Sequence, residues 1–292
     1  MIASIFDSVT VIVVTYNSAH CLPGLVPLLG QCRHVIVSDN ASQDDTLAQV
    51  LRQLPLANVL AHQRNLGFGA ANNRALAQVT TPFALLLNPD CELSAPQLQQ
   101  LMVAYQDFPF AAVVAPHLTD ARGRLQVNYR WPRIFWSSRG PGAQGPACVG
   151  FVCGAAMLFR MEAFATIGFF DERFFLYYED DDLCLRLFHA QQQMIIVPQV
   201  RALHRSRGSV KGNSPWMSVY WRGYHHAQSK LIFASKHQSP EHAHRARTRL
   251  IWQTALALPL RVFLFSPRLI SRMWGRLRGV MAWKSQAGDR LQ

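Results

Sequence analysis

Residues 9–18 read VTVIVVTYNS: a run of aliphatic and β-branched residues from Val9 to Val14 that closes on Thr15-Tyr16-Asn17-Ser18. Such a run predicts a buried strand that ends in polar residues. The same grammar repeats along the chain. Helical spacing holds from Leu22 to Leu29, with Pro23 and Pro27 making that helix short or irregular. His34 to Ser38 predicts a second strand leading into Asp39-Asn40-Ala41-Ser42, and Asp44 to Leu54 a helix. Asn58 to His62 follows as a strand, Ala70 to Gln78 as a helix, and Pro82 to Leu87 as a buried strand ending in Asn88-Pro89-Asp90. This alternation with short connections predicts a parallel sheet covered on both faces. Ligands of such sheets bind at the carboxyl ends of the strands. Here those ends carry Thr15 and Asn17, Asp39 and Asn40, Asn65, and Asp90.

Further on, Ser94 to Tyr105 reads as a helix, Ala111 to Ala115 as a strand, and Asp120-Ala121-Arg122-Gly123 as the turn of a hairpin. Residues 130–147 contain Pro132, Pro141, Pro146 and three glycines, which predicts a long mobile loop. Val149 to Phe159 predicts a strand with Gly154-Ala155-Ala156 inside it, and Met194 to Val197 and Val200 to His204 predict two more. Between them, residues 168–187 read GFFDERFFLYYEDDDLCLRL. Four consecutive acids, Glu179 to Asp182, follow a block of aromatics, an arrangement that loses hydration and repels itself unless something offsets it. Leu183, Leu187 and Ala190 at helical spacing place these acids in a first helical turn, where the macrodipole favours them. A capped acidic helix start and a catalytic carboxylate are both consistent with that pattern.

Half of the 292 residues are hydrophobic and 16% are charged, so the chain buries a full core. The net charge of +12 is uneven: residues 1–200 hold 12 Lys/Arg against 15 Asp/Glu, and residues 201–292 hold 17 against 2. A basic block of that kind seeks phosphate in nucleic acid, anionic lipid or substrate. The six cysteines form no CxxC pair and read as reduced core residues of a cytoplasmic protein. The amino terminus lacks the features of a signal peptide, and no uncharged apolar run reaches about 20 residues, so no conventional membrane span is expected.

Asp90 at a strand end and His204 at another suit a hard or borderline divalent ion, Mg²⁺ or Mn²⁺, completed by water and phosphate oxygens. Neither a P-loop nor a dinucleotide fingerprint is present, and Asn65-Leu66-Gly67-Phe68-Gly69 has the spacing of neither. In combination, VTYNS at 14–18, DNAS at 39–42, NLGFGAANN at 65–73, NPD at 88–90, CGAAMLFR at 153–160, residues 168–187, and His204 with Ser209 carry a resemblance. The chain resembles the family 2 inverting glycosyltransferases of GT-A fold, and within them the bacterial rhamnosyltransferase-like enzymes of cell-surface polysaccharide assembly. The resemblance covers residues 9–210. It implies that Thr15, Asn17 and Asp39 hold the nucleoside and that Asn65 and Asn73 line the donor side. It further implies that Asp90 and His204 hold the metal and that Asp180 is the catalytic base, with Asp181 as runner-up. Two departures touch none of the implied chemistry: a family glycine is replaced near Arg74-Ala75, and another within Gln191-Gln192-Gln193. The first acid of the metal motif is Asn88, leaving one carboxylate there.

The implied partners are a dTDP- or UDP-sugar donor and a lipid-linked saccharide acceptor. The resemblance leaves residues 213–292 as a helical, basic extension to a catalytic domain of residues 1–212. Trp216 to His237 shows a long helical pattern, and Arg245 to Phe265 an apolar one broken by Pro259 and Arg261. Ser266 to Trp283 places Ile270, Met273, Trp274, Leu277, Val280 and Met281 on one face and Arg268, Arg272 and Arg276 on another. Such a helix suits the cytoplasmic surface of the inner membrane, and packing on the catalytic domain is the alternative. No nucleic-acid motif is seen, so that partner is not expected. A non-catalytic binding module is hard to square with Asp90, Asp180 and His204 together. A sugar nucleotidyltransferase would need a basic glycine-rich loop that Val9 to Ser18 lacks.

Overall fold

The computed structural model describes residues 5–130, 142–205, 208, 215–263 and 265–284. Most of the loop expected at 130–147 therefore lies outside the described residues, as does Ser209. The chain forms two compact units, Met1–Phe170 with Leu183–Lys211, and Asp171–Asp182 with Gly212–Gln292.

The first unit opens with β1 (Val9–Thr15), α1 (Leu22–Leu29), β2 (His34–Asp39), α2 (Thr46–Gln53), β3 (Asn58–Ala61), α3 (Phe68–Leu76) and β4 (Phe83–Leu87). It continues with β5 (Cys91–Glu92), α4 (Ala95–Asp107), β6 (Ala111–Thr119), β7 (Leu125–Gln126) and β8 (Tyr129–Arg130). Then come β9 (Ala147–Cys148), β10 (Phe151–Val152), β11 (Ala156–Arg160), α5 (Glu179–His189), which joins this unit from Leu183 onward, and β12 (Gln193–His204). Among the described residues one ten-stranded sheet runs β3-β2-β1-β4-β11-β6-β12-β5, with β7 on β6 and β9 on β12. The first four strands are parallel; β11 enters antiparallel between β4 and β6. Because β1 has β2 on one side and β4 on the other, the chain order reverses there, which opens a crevice at the carboxyl ends.

Period-2 alternation sends side chains to both faces, and both are buried. Val11, Val13, Val35, Val37, Leu85 and Leu87 pack with Leu25, Leu28, Leu98 and Leu101 of α1 and α4. Ile12, Ile36, Ala84 and Leu86 face the other way, with Ala75 and Leu76 of α3 and Leu183, Cys184 and Leu187 of α5. Each such aliphatic side chain contributes about 1.5–3 kcal/mol on burial. α4 begins on a capping box, Ser94 accepting from the Gln97 amide while the Gln97 side chain accepts from the Ser94 amide.

Some expectations need correction. The strand read over 149–159 is two, β10 and β11, separated at Cys153–Ala155 where the small residues turn the chain. The two strands read over 194–204 are one, β12, carrying an irregularity between Val197 and Arg201. Cys148 is exposed rather than core, whereas Cys21, Cys91 and Cys184 are buried.

The second unit holds α6 (Pro215–His237), α7 (Pro240–Phe263) and α8 (Pro267–Ala282). Pro259 does not break α7; it sits on an exposed side and the helix runs through it. The face expected on α8 is also divided. Met273 and Val280 are buried, whereas Trp274 and Met281 are half exposed. The buried side of α8 is set by glycine, because a Cβ on Gly275 would lie 2.0 Å from the Tyr220 carbonyl and one on Gly279 2.4 Å from that of Tyr224. A Cβ on Gly223 of α6 would meet the Arg272 carbonyl just as closely. Backbones packed this tightly leave no room for a methyl group, and the neighbouring atoms are carbonyls that cannot swing aside. Gly275→Ala is therefore expected to loosen the α6–α8 pair by about 1–3 kcal/mol. Hydrogen exchange should show faster exchange in those two helices and an unchanged β1–β4 core. Gly145→Ala, with nothing within 4 Å of the added Cβ, serves as the neutral control.

Candidate functional site

At the carboxyl ends of β1 and β2, Thr15 pairs in register with Asp39. Thr15 Oγ1 donates to Asp39 Oδ1 at 2.8 Å; Ser42 Oγ donates to the same oxygen at 2.6 Å, and the Ser42 amide to Oδ2 at 3.0 Å. Asp39 is buried, so these donors replace the water it has lost. Asn17 and Ala41 take left-handed backbone, at φ 52° and 64°. A left-handed Ala is strained and persists only when its surroundings hold it. Here the Asn17 amide donates to Ser42 Oγ, and Asn17 Oδ1 accepts from the Gln43 amide at 2.7 Å. Thr15, Asn17 and Asp39 thus meet in one hydrogen-bonded rim.

Asn40 ties that rim to the glycine-rich turn before α3. Its side-chain nitrogen donates to Asn65 Oδ1 (2.9 Å) and the Gly67 carbonyl (3.1 Å), and its oxygen accepts from the Leu66 amide (2.7 Å). Gly67 has φ 89°, a backbone that favours glycine. Asn73 serves differently: its amide clamps the backbone of Phe170, donating to the carbonyl at 2.8 Å and accepting from the N–H at 3.0 Å. Asn40 was read only as one of the polar residues at a strand end, and Ser42 only as part of the DNAS stretch. They lie in the same DNAS stretch as Asp39, and only the bonds themselves assign them a part.

Asp90 and His204 come together. β12 pairs with β5 so that His204 lies opposite Cys91, next to Asp90. Both side chains are largely buried, and His204 Nε2 stands 3.8 Å from Asp90 Oδ1, too far for a hydrogen bond. Asp90 Oδ2 accepts from the Gly208 amide at 2.9 Å, and the Gly208 carbonyl accepts from His20 Nε2 at 2.5 Å. Arg205 pairs with Glu92 beside it. Burial pushes the His204 imidazole below its ordinary pKa while Asp90 pulls it up, so near neutral pH the ring is in its metal-binding form. One carboxylate oxygen and one imidazole nitrogen converging at this spacing are a donor set that fits Mg²⁺ or Mn²⁺. Among the described residues no group of three His, Cys, Asp or Glu side chains could hold a metal ion. An ion here would take its other ligands from phosphate and water.

The acids of α5's first turn belong to the second unit and are held there by α6. Asp182 is fully buried, and its Oδ1 lies 2.6 Å from Lys236 Nζ and 2.7 Å from His237 Nε2. Asp171 Oδ2 meets Lys236 and Arg173, each at 2.7 Å. Just before the helix, Tyr177 and Tyr178 have φ 71° and 67°. Two consecutive bulky left-handed residues cost on the order of 1–3 kcal/mol each. Their rings pack edge-on against His226, Phe175 stacks on His225 at 4.3 Å, and Ser229 Oγ donates to the Leu176 carbonyl. Burial lowers His225 and His226 to about 4, so they act as neutral aromatic surfaces. Glu179 is buried, and burial, then Asp180 and Asp181, push its carboxyl well above the ordinary range. Asp180 is half-buried and accepts the Asp181 amide at 3.0 Å. Lys236 and His237 were missed at the sequence level, where they read only as basic residues ending a helix.

The pattern of glycosyl transferase family 2 matches residues 10–168. An N-acetylglucosaminyl-diphospho-decaprenol L-rhamnosyltransferase of Mycobacterium tuberculosis is 27% identical over 268 residues, covering 79% of this chain and 85% of that protein. Among solved structures, a mannosyltransferase from Pyrobaculum calidifontis in complex with GDP-Man and Mn²⁺ is similar at TM-score 0.53 and 18% identity, covering 94% and 86% of the two chains. GalNAc-T7 with UDP, GalNAc and Mn²⁺ is similar at TM-score 0.54 and 14% identity; 78% of this chain matches and spans about half (51%) of that one. The fold is GT-A.

The ion network of the second unit makes its stability depend on pH. Burial alone would raise the Asp171 carboxyl, but hydrogen bonds from Arg173 and Lys236 outweigh it and hold the group well below the carboxylate range. A depressed folded-state pKa contributes stability above the unfolded value of about 3.9 and loses it as pH falls below that value. The thermal stability of the helical signal in circular dichroism should therefore fall progressively as pH drops below about 4. Asp171→Asn should be less stable at pH 7 and show a flatter acid limb.

Proposed function

Because the chain belongs to glycosyl transferase family 2, we propose that it inverts the anomeric centre while moving a sugar from a nucleoside-diphosphate donor to a lipid-linked saccharide. L-rhamnose from a dTDP-sugar is the sugar we favour, with a UDP-sugar as the other donor class, and the product serves cell-surface polysaccharide assembly. The similarity to the mycobacterial L-rhamnosyltransferase, which spans most of both chains, supports this choice. The single observation that carries the reading is the convergence of Asp90 and His204 at a strand-end crevice beside the Thr15–Asp39 rim.

In this reading Thr15, Asn17 and Asp39 hold the nucleoside, and Asn65 lines the donor with its loop braced by Asn40. Asn73 contributes by fixing the Phe170 backbone. Asp90 and His204 hold a divalent ion. When bound, that ion supplies Lewis-acid stabilisation to the departing diphosphate. Asp180 accepts the proton of the attacking acceptor hydroxyl, with Asp181 the neighbouring candidate. Burial of Glu179, which favours its neutral form, limits like-charge repulsion in the same helical turn. One in-line displacement inverts the centre and requires no second nucleophile. Residues 213–292 hold the enzyme, as a peripheral protein, on the cytoplasmic face of the inner membrane beside its acceptor.

Titration calorimetry with a panel of nucleotide sugars and Mn²⁺ identifies the donor. Chelation by EDTA should abolish transfer, and Asp90→Ala should weaken donor binding when Mn²⁺ or Mg²⁺ is present and little in its absence. Full activity in excess EDTA would remove the metal from the mechanism.

Asp180→Asn should keep the fold and the donor affinity while lowering kcat by about two to four decades. A normal rate in Asp180→Asn with a loss in Asp181→Asn moves the base by one residue. Normal rates in both make the acidic turn structural.

A further inference from the structure

Along the second half of α7, Trp252, Leu256, Leu260 and Phe263 follow at steps of four, four and three residues and so share one side of the helix. They are 63%, 75%, 55% and 79% exposed, and Val262 and Phe265 (53% and 89%) extend the patch to the turn before α8. From Leu250 to Pro267 the one charged residue is Arg261, half-buried and set off that row. Basic residues lie at both ends: Arg245 and Arg249 before it, Arg268, Arg272 and Arg278 after it, all exposed. Between residues 240 and 284 there are nine Lys/Arg and a single acid, Glu241. Large apolar side chains left in water over such a length mark an interaction surface.

We propose that this face of α7, with the turn into α8, is the surface by which the protein docks on an anionic phospholipid bilayer. The apolar row enters the acyl boundary and the flanking arginines sit at the phosphates. The helix lies in the interface, since residues 250–263 span about 21 Å at 1.5 Å per residue, short of the roughly 30 Å hydrocarbon core. Charge complementarity selects this occupant. A second copy of the chain would bring two sets of arginines together, whereas anionic headgroups neutralise them. The inference deepens the lipid-linked-acceptor reading and rests on it for its purpose. It also moves the docking surface from α8, where sequence periodicity placed it, to α7.

The test is flotation of the full chain with vesicles of phosphatidylcholine alone or mixed with phosphatidylglycerol, at low and high salt. Wild type should float with the mixed vesicles and be released as salt rises. Leu256→Glu/Phe263→Glu, at exposed positions and with unchanged circular dichroism, should partition at least about tenfold less. Trp274→Glu on α8 should change partition by less than about threefold. Without any surface-charge variant, brominated lipid should quench wild-type tryptophan fluorescence, and less so in Trp252→Phe. Transfer to a water-soluble acceptor should be equal in wild type and the double variant. Binding without any transfer activity would sink the glycosyltransferase reading and leave the docking surface standing. Unchanged flotation of the double variant, loss of binding in Trp274→Glu alone, or no wild-type binding at low salt would overturn the docking proposal. So would light scattering that finds a dimer which the double substitution dissociates.

Discussion

A carboxylate taken out of water must be given donors, a cation or a proton, and this chain meets that demand four times with different chemistry. Asp39 receives two hydroxyls and a backbone amide, which bind β1, β2 and the turn after β2 into one rim. Asp90 receives the Gly208 amide and faces an imidazole. Asp182 receives a lysine and a histidine, and burial pushes the Glu179 carboxyl towards its neutral form. Asp39 is thus matched by neutral donors, and Asp90 by one backbone amide and an imidazole. Paired cations hold the acidic turn of α5 against α6. The local means of neutralisation is thus the best guide to what each acid does.

The C-terminal helices combine close packing with open apolar surface. α6 and α8 approach until their backbones nearly touch, because glycines at 223, 275 and 279 remove the side chains that would keep them apart. Ala227, Leu231, Ala243, Leu250, Val280 and Trp283 then form a small core of their own. With those contacts supplied by α6, α8 and the start of α7, the rest of α7 has little to pack against within its unit. The same α6 also supplies Lys236, His237, His225, His226 and Ser229 to residues 171–182. Helix packing in this unit therefore bears directly on where Asp180 is held.

The strands of the first unit were legible because their signal is local. β-branched runs, period-2 alternation and polar residues at the strand ends place β1, β2 and β4, and with them Thr15, Asn17, Asp39 and Asp90, to within a residue or two. The antiparallel entry of β11 and the fusion of two readings into β12 were not legible, since both depend on which strand lies alongside. Asn73 shows a similar limit within a recognised motif: the resemblance implied a place on the donor side, and no local pattern pointed to its bonds with the Phe170 backbone 97 positions away.

By itself, the sequence determined the order of elements, the sheet-end location of the polar residues, the acidic turn and the basic C-terminal third. All of these follow from periodicity and composition within short windows. Only the tertiary structure decided that Asp182 is neutralised from 55 residues away and that His204 faces Asp90. It also decided that the long exposed apolar row runs along α7, with Trp274 and Met281 of α8 half exposed. The physical reason is that a hydrophobic row at helical spacing says a helix has an apolar side, but not what covers that side. On α8 the glycine-lined approach to α6 buries Met273 and Val280, and on α7 no such partner reaches Leu256 or Phe263 among the described residues.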